Sequence, residues 1–147
     1  MLFTHDFYFE INDYDFKKLD FDFDLVELND AFINIKTYKN EEKSNLSRFI
    51  HKLTRRDSLK KTKRPEITIE EIEFENLRCT IWNENLPVNR NRIDFNHLEL
   101  SSINMDATDF SFTKNCTKAN TELLSFKEKS GLELLGMSGE FEMNNKE

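Results

Sequence analysis

Apolar residues return three times along this chain at one unequal spacing. Ile67, Ile69, Ile72, Phe74, Leu77, Cys79 and Ile81 are separated by steps of 2, 3, 2, 3, 2 and 2. The same steps recur 26 residues later as Ile93, Phe95, Leu98, Leu100, Ile103, Met105 and Ala107. They occur 46 residues earlier as Phe21, Phe23, Val26, Leu28, Ala31, Ile33 and Ile35. All seven positions are apolar in all three copies, although only 37% of the chain is apolar. A glutamate returns at one polar slot, as Glu27, Glu73 and Glu99. The repeats thus cover residues 21–35, 67–81 and 93–107. A fourth, over 119–126, begins at Ala119, Thr121, Leu124 and Phe126 and fades at Lys129.

Steps of 2 put side chains on one face of a β-strand. The first step of 3 is a one-residue phase slip of the kind a β-bulge absorbs. That slip places Leu25, Glu71 and His97 at the bulge. The second step of 3 spans Asn29-Asp30, Glu75-Asn76 and Ser101-Ser102. A two-residue hairpin there would set Leu28 beside Ala31, Phe74 beside Leu77 and Leu100 beside Ile103. It would also bring Glu73 opposite Arg78. None of these pairs contains Gly, so a bent continuous strand is the alternative. Asn45 before Leu46, Phe49, Ile50 and Leu53 reads as an N-cap and a helical stripe, predicting one short helix over 45–55 that closes an end or edge of the sheet. Residues 83–91, with Pro87, read as a loop, and 127–131 as a turn. Phe3, Phe7, Phe9 and Ile11 share one strand parity from the first residues onward, which suggests a piece of a longer protein.

Composition adds limits. With 14 Phe and 12% aromatics the 147-residue chain is not a disordered segment. Three Gly and two Pro exclude collagen-like and Pro/Gly-rich classes and suit a tight-turned compact sandwich poorly. The net charge of −7, from 28 acidic and 21 basic residues, argues against nucleic acid as the partner. One basic run breaks the trend: Lys52, Arg55, Arg56, Lys60, Lys61, Lys63 and Arg64 against Asp57 alone. Its +6 leaves the rest of the chain at −13, and it reads as a basic linker over 55–65.

Catalytic chemistry finds no motif. There is no phosphate loop, nucleophile elbow or zinc-protease signature, so no catalytic residue is expected and the chain is not read as an enzyme. Cys79 and Cys116 form no metal-ligand spacing with the dispersed His5, His51 and His97, so neither metal nor cofactor is expected. Cys79 reads as a small buried hydrophobe. Asp20, Asp22 and Asp24 alternate with Phe and belong to a solvated strand face. No stretch is long and apolar enough to span a membrane as a helix.

Several phrases resemble a known family. Leu124-Ser125-Phe126 followed by Glu128-Lys129-Ser130-Gly131 and an amphipathic strand is similar to a segment of Bacteroidota-type TamB proteins, of the AsmA-like superfamily. Leu28 to Ile35, Tyr38-Lys39, Ser44-Asn45-Leu46 and Phe49-Ile50 resemble that family's strand and short helix ahead of a basic linker. Ile93 to Ala107 resembles its repeated strand phrase. The likeness covers roughly residues 16–143. It implies a mainly β fold with a trough-shaped sheet (a β-taco, or repeating β-groove). The chain would be one segment of a periplasmic, cell-envelope protein whose full length is anchored in the inner membrane. Such proteins are implicated in lipid transport to the outer membrane and, with a β-barrel partner, in outer-membrane protein assembly. The anchor and the partner-binding domain of the family are not in this sequence.

The repeat and the resemblance together point to a groove that carries phospholipid acyl chains. Its expected lining is Ile69, Ile72, Phe74, Cys79, Phe95, Leu98, Leu100 and Met105. The alternative is a closed β-sandwich, a structural or binding module whose apolar faces cover each other.

Overall fold

The computed structural model describes residues 2–4, 6–54, 66–89, 92–113 and 115–144. The basic run from Arg55 to Arg64 lies outside them. The described residues form one open, mixed sheet of eight strands and one helix.

Six long lines of strand make up the sheet. The first is β1 (Leu2–Phe3) with β2 (Asp6–Asp15), and the second is β3 (Asp20–Asn29) with β4 (Phe32–Thr37). The third and fourth are β5 (Glu66–Asn83) and β6 (His97–Phe112); β7 (Cys116–Glu128) and β8 (Glu133–Asn144) follow. Neighbouring lines run antiparallel except one pair. β3 and β4 both lie parallel to β5. Helix α1 (Asn45–Thr54) sits within the crossover that this parallel pairing requires.

The first two repeats are therefore lateral neighbours in register. Phe21 pairs with Ile67, Phe23 with Ile69, Val26 with Ile72 and Leu28 with Phe74; Ile33 then meets Cys79 and Ile35 meets Ile81. Both strands slip phase at the same step, so the pairing survives the slip: Leu25 still faces Glu71.

The second step of 3 is not a hairpin. Asp30, Asn76 and Ser102 take left-handed backbone conformations, with φ of 51°, 51° and 49°, inside lines that continue beyond them. The three bends form a crease across the sheet, tied by polar groups. Asp30 N–H donates to Glu75 O at 3.1 Å and Arg78 N–H to Ala31 O at 2.8 Å. Asn76 Nδ2 donates to Asp30 Oδ1 at 2.5 Å, and Asn76 N–H to Asn104 Oδ1 at 2.9 Å. Asn and Asp tolerate this conformation because their short side chains bond locally. Without a hairpin, Glu73 does not meet Arg78. It pairs with Glu27 on one side and Asp106 on the other, while Arg78 lies beside Phe32 with its guanidinium 5.8 Å from the ring centre.

The best-buried core lies along this crease. Leu28, Ala31 and Leu77 are closed off, with Ile33, Phe74 and Ile103 packed around them. Away from the crease the described hydrophobic residues are only partly buried, apart from Ile72 and Ala107.

Helix α1 begins where expected, with a different cap. Ser44 Oγ accepts the Ser47 N–H at 3.2 Å, which makes Ser44 the N-cap. Asn45 is shared between helix and sheet: its Oδ1 accepts Leu46 N–H at 2.8 Å and Lys36 N–H at 2.9 Å, and its Nδ2 donates to Asn34 O at 2.9 Å. One amide thus pairs the edge of β4 just past the end of β1. The helix does not cover the sheet, and Leu46 and Phe49 stay exposed.

Candidate functional site: the apolar face of the sheet

Directly opposed residues in a ladder share a face, so the pairings define apolar rungs. Tyr14–Phe21–Ile67–Phe112, Ile11–Phe23–Ile69–Phe110, Phe9–Val26–Ile72–Ala107 and Phe7–Leu28–Phe74–Met105 run across the first four lines. Past the crease come Leu77–Ile103, Ile33–Cys79–Leu100 and Ile35–Ile81–Leu98. Lines five and six extend one of these rungs as Met105–Leu124–Met137 and add apolar pairs of their own, such as Ala119–Phe141. Aromatic contacts run along the β2 side, with ring centres 5.1 Å apart for Phe7–Phe9 and 6.1 Å for Phe9–Phe23.

Exposure grows outward along this face. Ile72 and Ala107 are buried at its centre, whereas Phe7, Phe9 and Ile11 at one edge and Met137, Phe141 and Met143 at the other are each 43–52% exposed. The opposite face is acidic, with Asp13 opposite Asp22 and Glu73 between Glu27 and Asp106. Like charges so placed destabilise a sheet. Water must therefore screen that face, while nothing among the described residues covers the apolar one.

Seven of the eight expected lining residues belong to this face: Ile69, Ile72, Phe74, Cys79, Leu98, Leu100 and Met105. Burial pushes the Cys79 thiol pKa up, which keeps it a neutral, apolar group. Phe95 does not belong. It lies in the turn before β6 and is 75% exposed. The Asp94 carboxylate shapes that turn by accepting the Asn89 and Asn96 N–H groups at 2.8 and 3.0 Å, so the strand begins only at His97. Phe110 and Phe112 take the rungs assigned to Phe95 and Ile93.

His97 opens β6 opposite Trp82 and is no bulge residue. Its Nδ1 lies 2.8 Å from Asp94 Oδ2 and its Nε2 2.9 Å from Asn83 O, with the Trp82 ring 4.6 Å away edge-on. Both ring nitrogens are occupied, and the imidazole ties the turn at Asp94 to the end of β5. A recess of about 540 Å³ beside it reaches Glu128 and Ser130. Glu128 is buried, and the Ser130 hydroxyl and N–H hold its carboxyl below the usual range. His97 and Asp94 thus hold each other on one side of the recess, and Glu128 and Ser130 on the other. Among the described residues no group of three His, Cys, Asp or Glu could hold a metal ion, and no helix is long and apolar enough to cross a membrane.

No known family, curated protein or solved structure matches this chain. The site rests on its own geometry.

Proposed function

We propose that the apolar face carries lipid acyl chains, and that the chain is a segment of a TamB-like, AsmA-like envelope protein moving phospholipid through the periplasm between inner and outer membranes. In this reading the sheet curves into a trough, acyl chains lie across the rungs, and head groups stay at the wet rim. The observation that carries it is a continuous apolar face, seven rungs deep, on a single open sheet whose other face is acidic. Burying each CH₂ contributes about 0.8 kcal/mol. Rungs of similar apolar character offer no deep well, so a bound chain can slide. The contribution to outer-membrane protein assembly, through a β-barrel partner, belongs to the full-length protein.

A closed sandwich would need a second sheet over this face, and the described residues form only one. Native mass spectrometry of the purified protein tests the proposal. Co-purified phospholipid should be retained in Phe95→Asp, which is off the face, and lost in Phe74→Asp and Leu98→Asp. Equal retention in all three variants would overturn it.

A further inference from the structure

Helix α1 is attached to the fold by its polar side. A helix of a globular fold ordinarily turns its apolar stripe to the core and its charged side to water. Here Arg48 Nη1 lies 2.7 Å from Glu41 Oε1, and its guanidinium lies 5.8 Å from the Tyr38 ring centre, over the turn that follows β4. Asn45 fixes the first helical turn to the β4 backbone. Among the described residues, β4 is the one element the helix packs against. Leu46 and Phe49, which begin the apolar stripe of the sequence, are left 43% and 58% exposed.

The same stretch reverses the charge of the chain. Residues 36–54 carry Lys36, Lys39, Lys43, Arg48 and Lys52 against Glu41 and Glu42, a net of +3 that leaves −10 of the chain's −7 for all the rest. The helix itself has no acidic residue. Lys43 and Lys52 are exposed and make no ion pair among the described residues. An occupant must therefore offer an apolar layer and negative charge on one surface. A second copy of the chain does not. Its sheet carries carboxylates on one face and apolar rungs on the other. Contact between two copies of α1 would bring two basic helices together with no acid in either to answer them.

We propose that α1 is an interfacial helix, which lays Leu46 and Phe49 into the head-group boundary of an anionic phospholipid bilayer while Lys43 and Lys52 meet lipid phosphates. The helix lies on the surface and does not cross it. Docking uses no residue of the apolar sheet face, so it stands whether or not that face carries lipid.

Vesicles of phosphatidylglycerol and of phosphatidylcholine are the probes, titrated into the full chain and read by sedimentation. Binding to phosphatidylglycerol should be at least tenfold tighter and should weaken as salt rises. Leu46→Ser with Phe49→Ser, both exposed, should lower it at least tenfold, as should Lys43→Glu with Lys52→Glu. Phe95→Ser, at an exposed ring elsewhere, should leave it unchanged. If the double serine variant loses its far-UV circular dichroism, Phe49→Ser alone should still lower binding at least threefold. Equal binding to the two kinds of vesicle, or undiminished binding of the serine variants, would overturn the proposal. So would loss of vesicle binding in Phe74→Asp with the helix variants unaffected, which would assign the contact to the sheet face. Self-association without vesicles that the serine variants abolish would overturn it too, by making a second copy the occupant.

Discussion

Ser102 separates a creased sheet from an ordinary one by the sign of a single substitution. Its side chain is exposed, so packing does not enter, and its φ is 49°. If residues 101–103 were regular strand, Ser102→Val would stabilise by up to about 1 kcal/mol, because β-branched side chains suit extended backbone. In the left-handed conformation Cβ of any L-residue meets the following carbonyl at a cost of about 1–2 kcal/mol, which Ser102 already bears. A β-branched side chain adds a further cost of similar order. Ser102→Gly removes that clash but enlarges the freedom of the unfolded chain, and the two effects nearly cancel. The expected order of stability is therefore Gly close to Ser, with Val below both. About 1 kcal/mol shifts the melting midpoint of a chain this size by about 3 °C, so the Val variant should melt about 3–6 °C lower. Urea titration followed by far-UV circular dichroism, with calorimetry in parallel, reads both quantities. A Val variant as stable as the parent or more so would refute the crease.

Other expectations follow from single contacts. Leu77→Ala, at a residue 1% exposed, should lose about 2–5 kcal/mol in urea unfolding, whereas Phe95→Ala should change stability by less than about 0.5 kcal/mol. Ser44→Ala should cost about 1 kcal/mol as a lost helix cap. Asn45→Ala should cost a similar amount, about 1–2 kcal/mol, because it leaves two groups of β4 unpaired, and should speed hydrogen exchange at Lys36. The folded Glu128 carboxyl titrates below its unfolded value, so its contribution is present above the ordinary carboxylate range and is lost as the pH falls through the lowered folded value. Glu128→Gln should flatten that acid limb of a stability–pH curve and leave its slope near neutral pH unchanged.

Strand identity was legible because the apolar spacing is long and shared. The 46-residue shift became lateral register between β3, β4 and β5, position for position. The third copy was legible only in part. β6 runs antiparallel to β5, so its apolar face is met in reverse, at steps of 2, 3, 2, 2, 3 and 2, from Phe112 through Phe110, Ala107, Met105, Ile103 and Leu100 to Leu98. A forward search shares five of those seven positions and misassigns the other two to Ile93 and Phe95. The dipeptides at the second slip looked like hairpin turns because Asn, Asp and Ser serve both turns and left-handed bends. What decided between them was cross-strand bonding by Asn76 and Asn104, which no local pattern contains. The cap fell to Ser44 and not to the expected Asn45 for the same reason: capping is local, but the claim of β4 on Asn45 comes from elsewhere in the fold. The openness of the apolar face is likewise a tertiary fact, since the same stripes would line a sandwich.

Photocrosslinking tests the central claim most directly. Benzoylphenylalanine placed at Met105 lies on the apolar rungs, and at Asp106, one residue on, it lies on the acidic face. With phospholipid present, irradiation should give a lipid adduct at position 105 and none at 106. No adduct at 105, or equal adducts at both positions, would contradict a lipid-carrying face.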